Sequence, residues 1–268
     1  MIGMPIASEG YPLAAAASPR VQIVETTDST NADVIRHVVD APDEWPHLSL
    51  LLTTDQRAGR GRLDRTWTTP PGTALALSVV VRIGAIPPAS RGWIPLVAGA
   101  AMTRAVAGQV RGSGHTPRLK WPNDVLLDGY KLCGILAEVV PGHPDTVVIG
   151  SGINTRMPKA DLPVETATSF EALGLVADED ALIADYLTAL AEQLDALVGA
   201  RGNAATAGVL AEVEALCSTI GSDVAVSLPD GEVLRGRAER IDDEGRLIVV
   251  QNSEFESAVS AGDVVHVR

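Results

Sequence analysis

Hydrophobic positions along this chain follow two periods, one helical and one strand-like, and the changes of period mark its parts. Val34, Ile35, Val38 and Val39 recur at helical spacing after Ser29-Thr30-Asn31. They predict a helix with Ser29 or Thr30 at its N-cap, ended by Ala41-Pro42. Residues 21–24 before it and 48–54 after it read as strands. A long, partly alternating strand is predicted over 73–83. Residues 93–110 form a helix of small apolar residues, which predicts burial, and Gly112 stops it. The stretch 120–138 reads as strand, Asp128-Gly129 turn and strand, and 146–154 adds a third strand to this antiparallel meander. Residues 178–198 carry apolar side chains at helical spacing from Leu182 to Val198, and 207–218 form a shorter helix. Beyond Gly221 the pattern becomes short alternating strands joined by Pro229-Asp230-Gly231 and Asp242-Asp243-Glu244-Gly245, the pattern of a small closed or nearly closed barrel.

These periods divide the chain into an unpatterned, disordered tail over 1–20, a mixed α+β domain over 21–219 and a small β domain over 220–268. At 268 residues there is enough chain for one large and one small domain. The composition is 46% hydrophobic but only 3% aromatic, so the core must be aliphatic. A net charge of −13 argues against general nucleic-acid binding, which needs a basic face, and makes any anion site local. Two cysteines, Cys133 and Cys217, with no CxxC pattern argue against a disulfide framework or a structural zinc and fit a reducing, cytoplasmic setting. No charge-free segment is long enough for a membrane span, and the N-terminus lacks the basic start of a signal peptide.

Charge contrast then picks out the chemistry. The chain has three lysines against eighteen arginines, and two of them, Lys120 and Lys131, fall in one short stretch, 120–138. A compact ammonium suits a single reacting oxygen better than a planar fork does. The Trp121-Pro122 corner presents Asn123 and Asp124, which suit either a hydrated Mg²⁺ bridging phosphates or ordinary turn chemistry. Arg57, Arg60, Arg62 and Arg65 crowd into 56–67 beside Gly59, Gly61 and Trp67. That loop reads as a nucleotide phosphate site with a stacking face, as a solvated basic loop, or as an RGG-like segment. Ser29-Thr30-Asn31 offers helix-capping chemistry or a polar ligand head. Gly150-Ser151-Gly152-Ile153-Asn154 is a strand that has lost side chains, for close approach of a flat ligand or for a bulge. Cys133 reads as a core filler. Neither a Walker loop nor a GxGxxG turn occurs.

Taken together, GRGRLDRTW, KWPND, KLCGILAEV and GSGINT, in that order after an STN segment, resemble the biotin–protein ligase family. The resemblance runs from about Val21 to the C-terminus. It implies a class II aminoacyl-tRNA-synthetase-like catalytic domain with a mixed or antiparallel sheet, followed by a small SH3-like β-barrel. It implies that biotin, ATP and Mg²⁺ combine to give biotinyl-5′-AMP, and that a lysine of an apo biotin carboxyl carrier domain then displaces AMP. By resemblance, Ser29, Thr30, Asn31, Gln56, Arg60, Gly61, Arg62, Lys131, Gly134, Leu136, Gly150 and Gly152 bind biotin. Arg60, Arg62, Arg65, Trp67, Lys120, Asn123 and Asn154 bind the nucleotide, with Trp67 stacked on adenine. Asp124 and Asn154 meet the metal, and Lys131 and Arg62 carry the catalysis. A lipoate ligase, a DNA-binding, biotin-sensing regulator and a non-catalytic binding module made of the C-terminal barrel alone are the rival readings.

Two departures stand out. Where the family loop has its last glycine, this chain has Asp64, which predicts weaker adenylate retention or a stiffer loop. Comparing ATP and adenylate affinities of Asp64→Gly with wild type checks this. Some members also carry an N-terminal winged helix-turn-helix. The short run before Val21 is too brief for one, so an enzyme without DNA-directed repressor activity and without a membrane partner is expected.

Overall fold

A computed structural model describes residues 10–62, 65–228, 231–251, 255–260 and 262–267. Five α-helices and fourteen strands are assigned among them. The first half runs α1 (Pro12–Ala17), β1 (Val21–Ile23), α2 (Thr30–Asp40), β2 (Leu50–Thr53), β3 (Gly59–Arg60), β4 (Thr66–Trp67), β5 (Leu75–Arg82) and α3 (Ile94–Gln109). It continues with β6 (Pro117–Lys120), β7 (Asp124–Leu127), β8 (Tyr130–Val140), β9 (His143–Ile153), α4 (Glu179–Gly199) and α5 (Val209–Leu216). Last come β10 (Asp223–Ser227), β11 (Val233–Ile241), β12 (Leu247–Gln251), β13 (Phe255–Val259) and β14 (Asp263–His266).

Seven strands form one mixed sheet in the order β1-β2-β5-β9-β8-β7-β6, with β1 parallel to β2 and the other pairs antiparallel. Period-2 alternation gives this sheet two different faces. Leu75, Leu77, Val79 and Val81 of β5 point into the main core with Cys133 and Ile135 of β8 and Ile149 of β9. The helices α3 and α4 cover that face. The helix α3, apolar except for Thr103, Arg104 and Gln109, is buried along most of its length, as its composition predicts. On the opposite face, Val80 and Val148 meet Val34 and Val38 of α2 in a smaller core. The helix α2 covers only part of that face. The remainder, from β5 across β9 and β8 to β7, is left as a floor.

The second domain is a five-stranded antiparallel sheet in the order β13-β12-β11-β10-β14. Its β11–β12 turn is pinned to the larger domain. Trp93 Nε1 donates to Asp243 O at 2.8 Å and Trp121 Nε1 to Gly245 O at 3.3 Å. Both indoles are buried.

Three expectations need correction. The run over 1–20 is not uniformly a disordered tail, because α1 packs on α4 with Ala14 buried. The Asp180 carboxylate accepts from Leu13 N at 3.0 Å and Ala14 N at 2.9 Å, and so holds the amides of that first turn. The Gly/Arg segment is not wholly irregular, since β3 and β4 pair as a ribbon, Gly59 with Trp67 and Arg60 with Thr66. The bulge reading of Gly150 and Gly152 also fails. Gly150 pairs with Ser78 and Leu136, and Gly152 with Ala76 and Gly134, in unbroken register. Leu63 and Asp64 lie outside the described residues.

Candidate functional site

The floor left by α2 is the base of a cleft of about 790 Å³, a volume that includes solvent at its mouth. Ala76 of β5, Gly150 and Gly152 of β9, Gly134 and Leu136 of β8 and Asp124 of β7 face it on alternate positions. Ser29, Thr30 and Asn31 at the start of α2 form one wall, and the ribbon with Gly61, Arg62 and Arg65 forms the other. An adjoining cleft shares Arg65, Trp67, Asp124 and Lys131 with the first and adds Lys120 and Asn154. All the residues expected at the site thus line one or other of two joined clefts. Arg57 does not join them, and pairs instead with Asp55 at 3.0 Å.

A continuous polar chain organises the inner wall. Ser29 caps α2 by accepting from Ala32 N at 3.4 Å, which leaves the next two side chains facing inward. Gln56 Oε1 accepts from Thr30 N at 2.9 Å and Thr30 Oγ1 at 3.1 Å. The fully buried Ser78 hydroxyl lies 2.8 Å from Thr30 Oγ1 and 2.6 Å from Asn31 Oδ1. Asn31 Nδ2 donates to Glu138 Oε2 at 2.7 Å and to Leu136 O at 3.2 Å. Glu138 also pairs with Arg60 at 3.0 Å. Buried polar groups need such partners, and here they fix the Asn31 amide in one orientation. Sequence reasoning missed Ser78 and Glu138. The one hydroxyl of β5 and the one carboxylate of β8 were the available signals.

The glycines of the floor admit the protein's own side chains. A Cβ on Gly150 would stand 2.3 Å from Asn31 Oδ1, and one on Gly152 would stand 2.6 Å from Trp67 Cε2. On Gly134 it would meet Trp67 Cζ3 at 3.2 Å. The paired glycines Gly134 and Gly152 therefore make a flat slot, and the Trp67 indole lies in it.

The cations have internal partners. Lys131 Nζ lies 2.7 Å from Asp124 Oδ1 and 5.6 Å from the Trp67 ring centroid. Arg62 donates to Asn123 Oδ1 at 3.1 Å, and burial lowers its guanidinium from the usual value. Asn123 Nδ2 in turn donates to Ile135 O at 2.6 Å, which holds the corner after the cis Trp121–Pro122 peptide against β8. Arg65 pairs with Asp263 of the second domain. Burial lowers the Lys120 ammonium below the ordinary amine value, with Asp124 opposing the shift. Cys133 is buried with its thiol pushed up by desolvation, which suits a core filler and not a nucleophile.

The donor set for a metal is sparse. No group of three or more His, Cys, Asp or Glu side chains with metal-holding geometry occurs among the described residues. Asn154 donates its Nδ2 to Thr168 O at 2.9 Å, while its buried Oδ1 has no hydrogen-bond partner. Asn154 and Asp124 face the same cleft. One carboxylate and one orphaned amide oxygen fit a Mg²⁺ held mostly by phosphate and water, and do not fit an all-protein cage.

The model of the Biotin/lipoate A/B protein ligase family matches residues 24–154, and that of the Biotin protein ligase C terminal domain matches residues 219–267. The biotin--[acetyl-CoA-carboxylase] ligase of Mycobacterium tuberculosis is 38% identical over 249 residues, covering 93% of this chain and 90% of that protein. The bifunctional ligase/repressor BirA of Escherichia coli is 30% identical over 236 residues, covering 87% of this chain and 70% of its own. The biotin protein ligase from Aquifex aeolicus in complex with biotin and ATP shares the fold, with a TM-score of 0.73 at 21% identity over 93% of this chain and 99% of that one. This chain belongs to the biotin–protein ligase family.

Proposed function

We propose that this protein joins biotin to a lysine of a biotin carboxyl carrier domain through biotinyl-5′-AMP, using ATP. The observation that carries the reading is the position of Lys131, which lines both clefts and stands where they meet. A ligand held at its polar end by Thr30, Asn31 and Gln56 would extend its carboxylate across the glycine slot towards this ammonium. A nucleotide on the far side would bring its α-phosphate to the same point. Arg62 and Lys131 would then neutralise the carboxylate and phosphate oxygens while a carboxylate oxygen attacks the α-phosphorus. The bond from that phosphorus to pyrophosphate breaks, and pyrophosphate leaves. In the second step the carrier's neutral lysine amine attacks the acyl carbon, AMP departs with the bonding pair, and the nitrogen loses a proton. The chain supplies position and charge, and no covalent enzyme intermediate is needed. Asp124 and Asn154 would hold a Mg²⁺, whose chemistry when bound is to offset phosphate charge.

For the bicyclic ring to enter the slot, the Trp67 indole must leave it, and its face becomes available to adenine. A cytoplasmic place of action fits the two buried, unpaired cysteines. No role is assigned to DNA, in keeping with the acidic balance, and no helix among the described residues is long and apolar enough to cross a membrane.

Pyrophosphate exchange into ATP tests this directly, run with biotin and with lipoate. Biotin-dependent exchange is expected, and exchange with lipoate alone would overturn the reading. Lys131→Ala should abolish exchange while leaving the circular dichroism spectrum and cooperative unfolding in place. Normal exchange in that variant would remove the role given to Lys131.

A further inference from the structure

Four cations face the candidate cleft, and each has a partner within the protein. Arg60 has Glu138, Arg62 has Asn123 and Lys131 has Asp124, all on the floor strands or the corner between them. Arg65 alone takes its partner from the other domain, namely Asp263 at the start of β14, which lines the main cleft. Asp263 is not on a loose appendage. The β11–β12 turn is nailed to the catalytic domain by the Trp93 and Trp121 indoles. Glu244 O of that turn comes so close to Gly92 that a Cβ there would stand 2.2 Å away. At the other end of β14, His266 Nε2 lies 3.3 Å from Thr219 Oγ1, which accepts from Trp121 N at 3.1 Å. The small domain therefore holds its carboxylate at a set place on the rim of the site.

We propose that Asp263 is the counter-ion that Arg65 gives up to ATP, and that ATP binds by exchanging this carboxylate for a phosphate on the same guanidinium. The inference rests on the ATP-dependent reading above. An ion pair with one exposed partner is weak, so it yields to a polyphosphate that brings several charges. Arg is suited to the exchange, since its fork accepts carboxylate and phosphate in the same geometry. Asp263 is thus a positioning residue that acts through Arg65. It keeps that side chain over the cleft and sets how strongly nucleotide must compete for it.

The test is calorimetric titration with ATP in the absence of biotin, paired with biotin-dependent pyrophosphate exchange. Asp263→Asn should tighten ATP about two- to five-fold, the range spanned by exposed ion pairs. The KM for ATP should fall in step, and the KM for biotin should stay unchanged. Asp263→Glu, which keeps the charge, should retain wild-type ATP affinity and so controls for folding. With Arg65→Gln in the background, Asp263→Asn should have no effect on ATP. Unchanged or weaker ATP binding in Asp263→Asn would overturn the proposal, as would an equal gain in the Arg65→Gln background or a wild type that binds no ATP. If wild type binds ATP but shows no biotin-dependent exchange, the proposed function fails while the titration still decides the role of Asp263.

Discussion

Gly150 is placed so that the Asn31 amide occupies the space a side chain would take. Gly150→Ala would put a carbon 2.3 Å from Asn31 Oδ1 and force the amide away from both Ser78 and Glu138. Breaking buried hydrogen bonds of this kind costs about 1–3 kcal/mol each. We expect a loss of that order in equilibrium denaturation and a rise of at least about fivefold in the KM for biotin, from the same per-bond energy. A variant with wild-type KM would show that the Asn31 amide is not part of the recognition wall. At this scale the sequence discloses unevenly. The lysines, the arginine cluster and the Asn123-Asp124 corner announce themselves by contrast with their neighbours. Ser78, Glu138 and Asp263 do not, because each acquires its meaning from a partner 47, 107 or 198 residues away.

Among the elements, the long ones were legible because their periodicity was carried by their own residues. The helix α2 begins at Thr30 after Ser29, and α4 begins at Glu179 with Asp178 as its N-cap. The helix α1 was missed because six residues, mostly alanine, carry no period. Its stability comes from outside, from the Asp180 carboxylate and from Glu179, which accepts from the Tyr11 hydroxyl at 3.2 Å. Burial and that carboxylate push the Tyr11 phenol up to about 12, so it stays a neutral donor. Asp180→Ala should release α1 and speed tryptic cleavage after Arg20 several-fold at native pH, read by mass spectrometry. Unchanged cleavage would mean that apolar packing of α1 alone suffices. The ribbon of β3 and β4 escaped notice for a related reason: two-residue strands have no period to read.

For the molecule as a whole, burial holds three histidines neutral. His37, His47 and His266 all have values lowered from the usual 6.5, chiefly by desolvation. His47 also accepts from Arg82 N through Nδ1 at 3.0 Å, a bond that protonation destroys. A folded-state value below the unfolded one means that the unfolded chain binds protons first as pH falls. The contribution to stability is therefore complete above about 6.5 and is lost as pH falls towards and through the depressed folded values. Denaturation midpoints should drop between pH 7.5 and pH 5.5. His47→Asn, whose amide oxygen can replace Nδ1 as the acceptor, should show a smaller drop. The division into two sheets was readable from the change of period. The fixed seating of one domain on the other was not, because it rests on two tryptophan indoles meeting backbone carbonyls of a distant turn.

The indole lying in the slot between Gly134 and Gly152 has a thermodynamic consequence. That patch of the cleft floor is already partly covered by the indole, so a ring that enters there largely replaces one apolar surface with another. Removal of water from that patch contributes little to the heat capacity of binding, which normally falls as apolar area is buried. Titrating biotin alone at several temperatures should give a heat capacity change close to zero. A large negative change should appear only when ATP follows and covers the displaced indole. A large negative change with biotin alone would mean that the indole leaves the slot for a place equally sheltered from water.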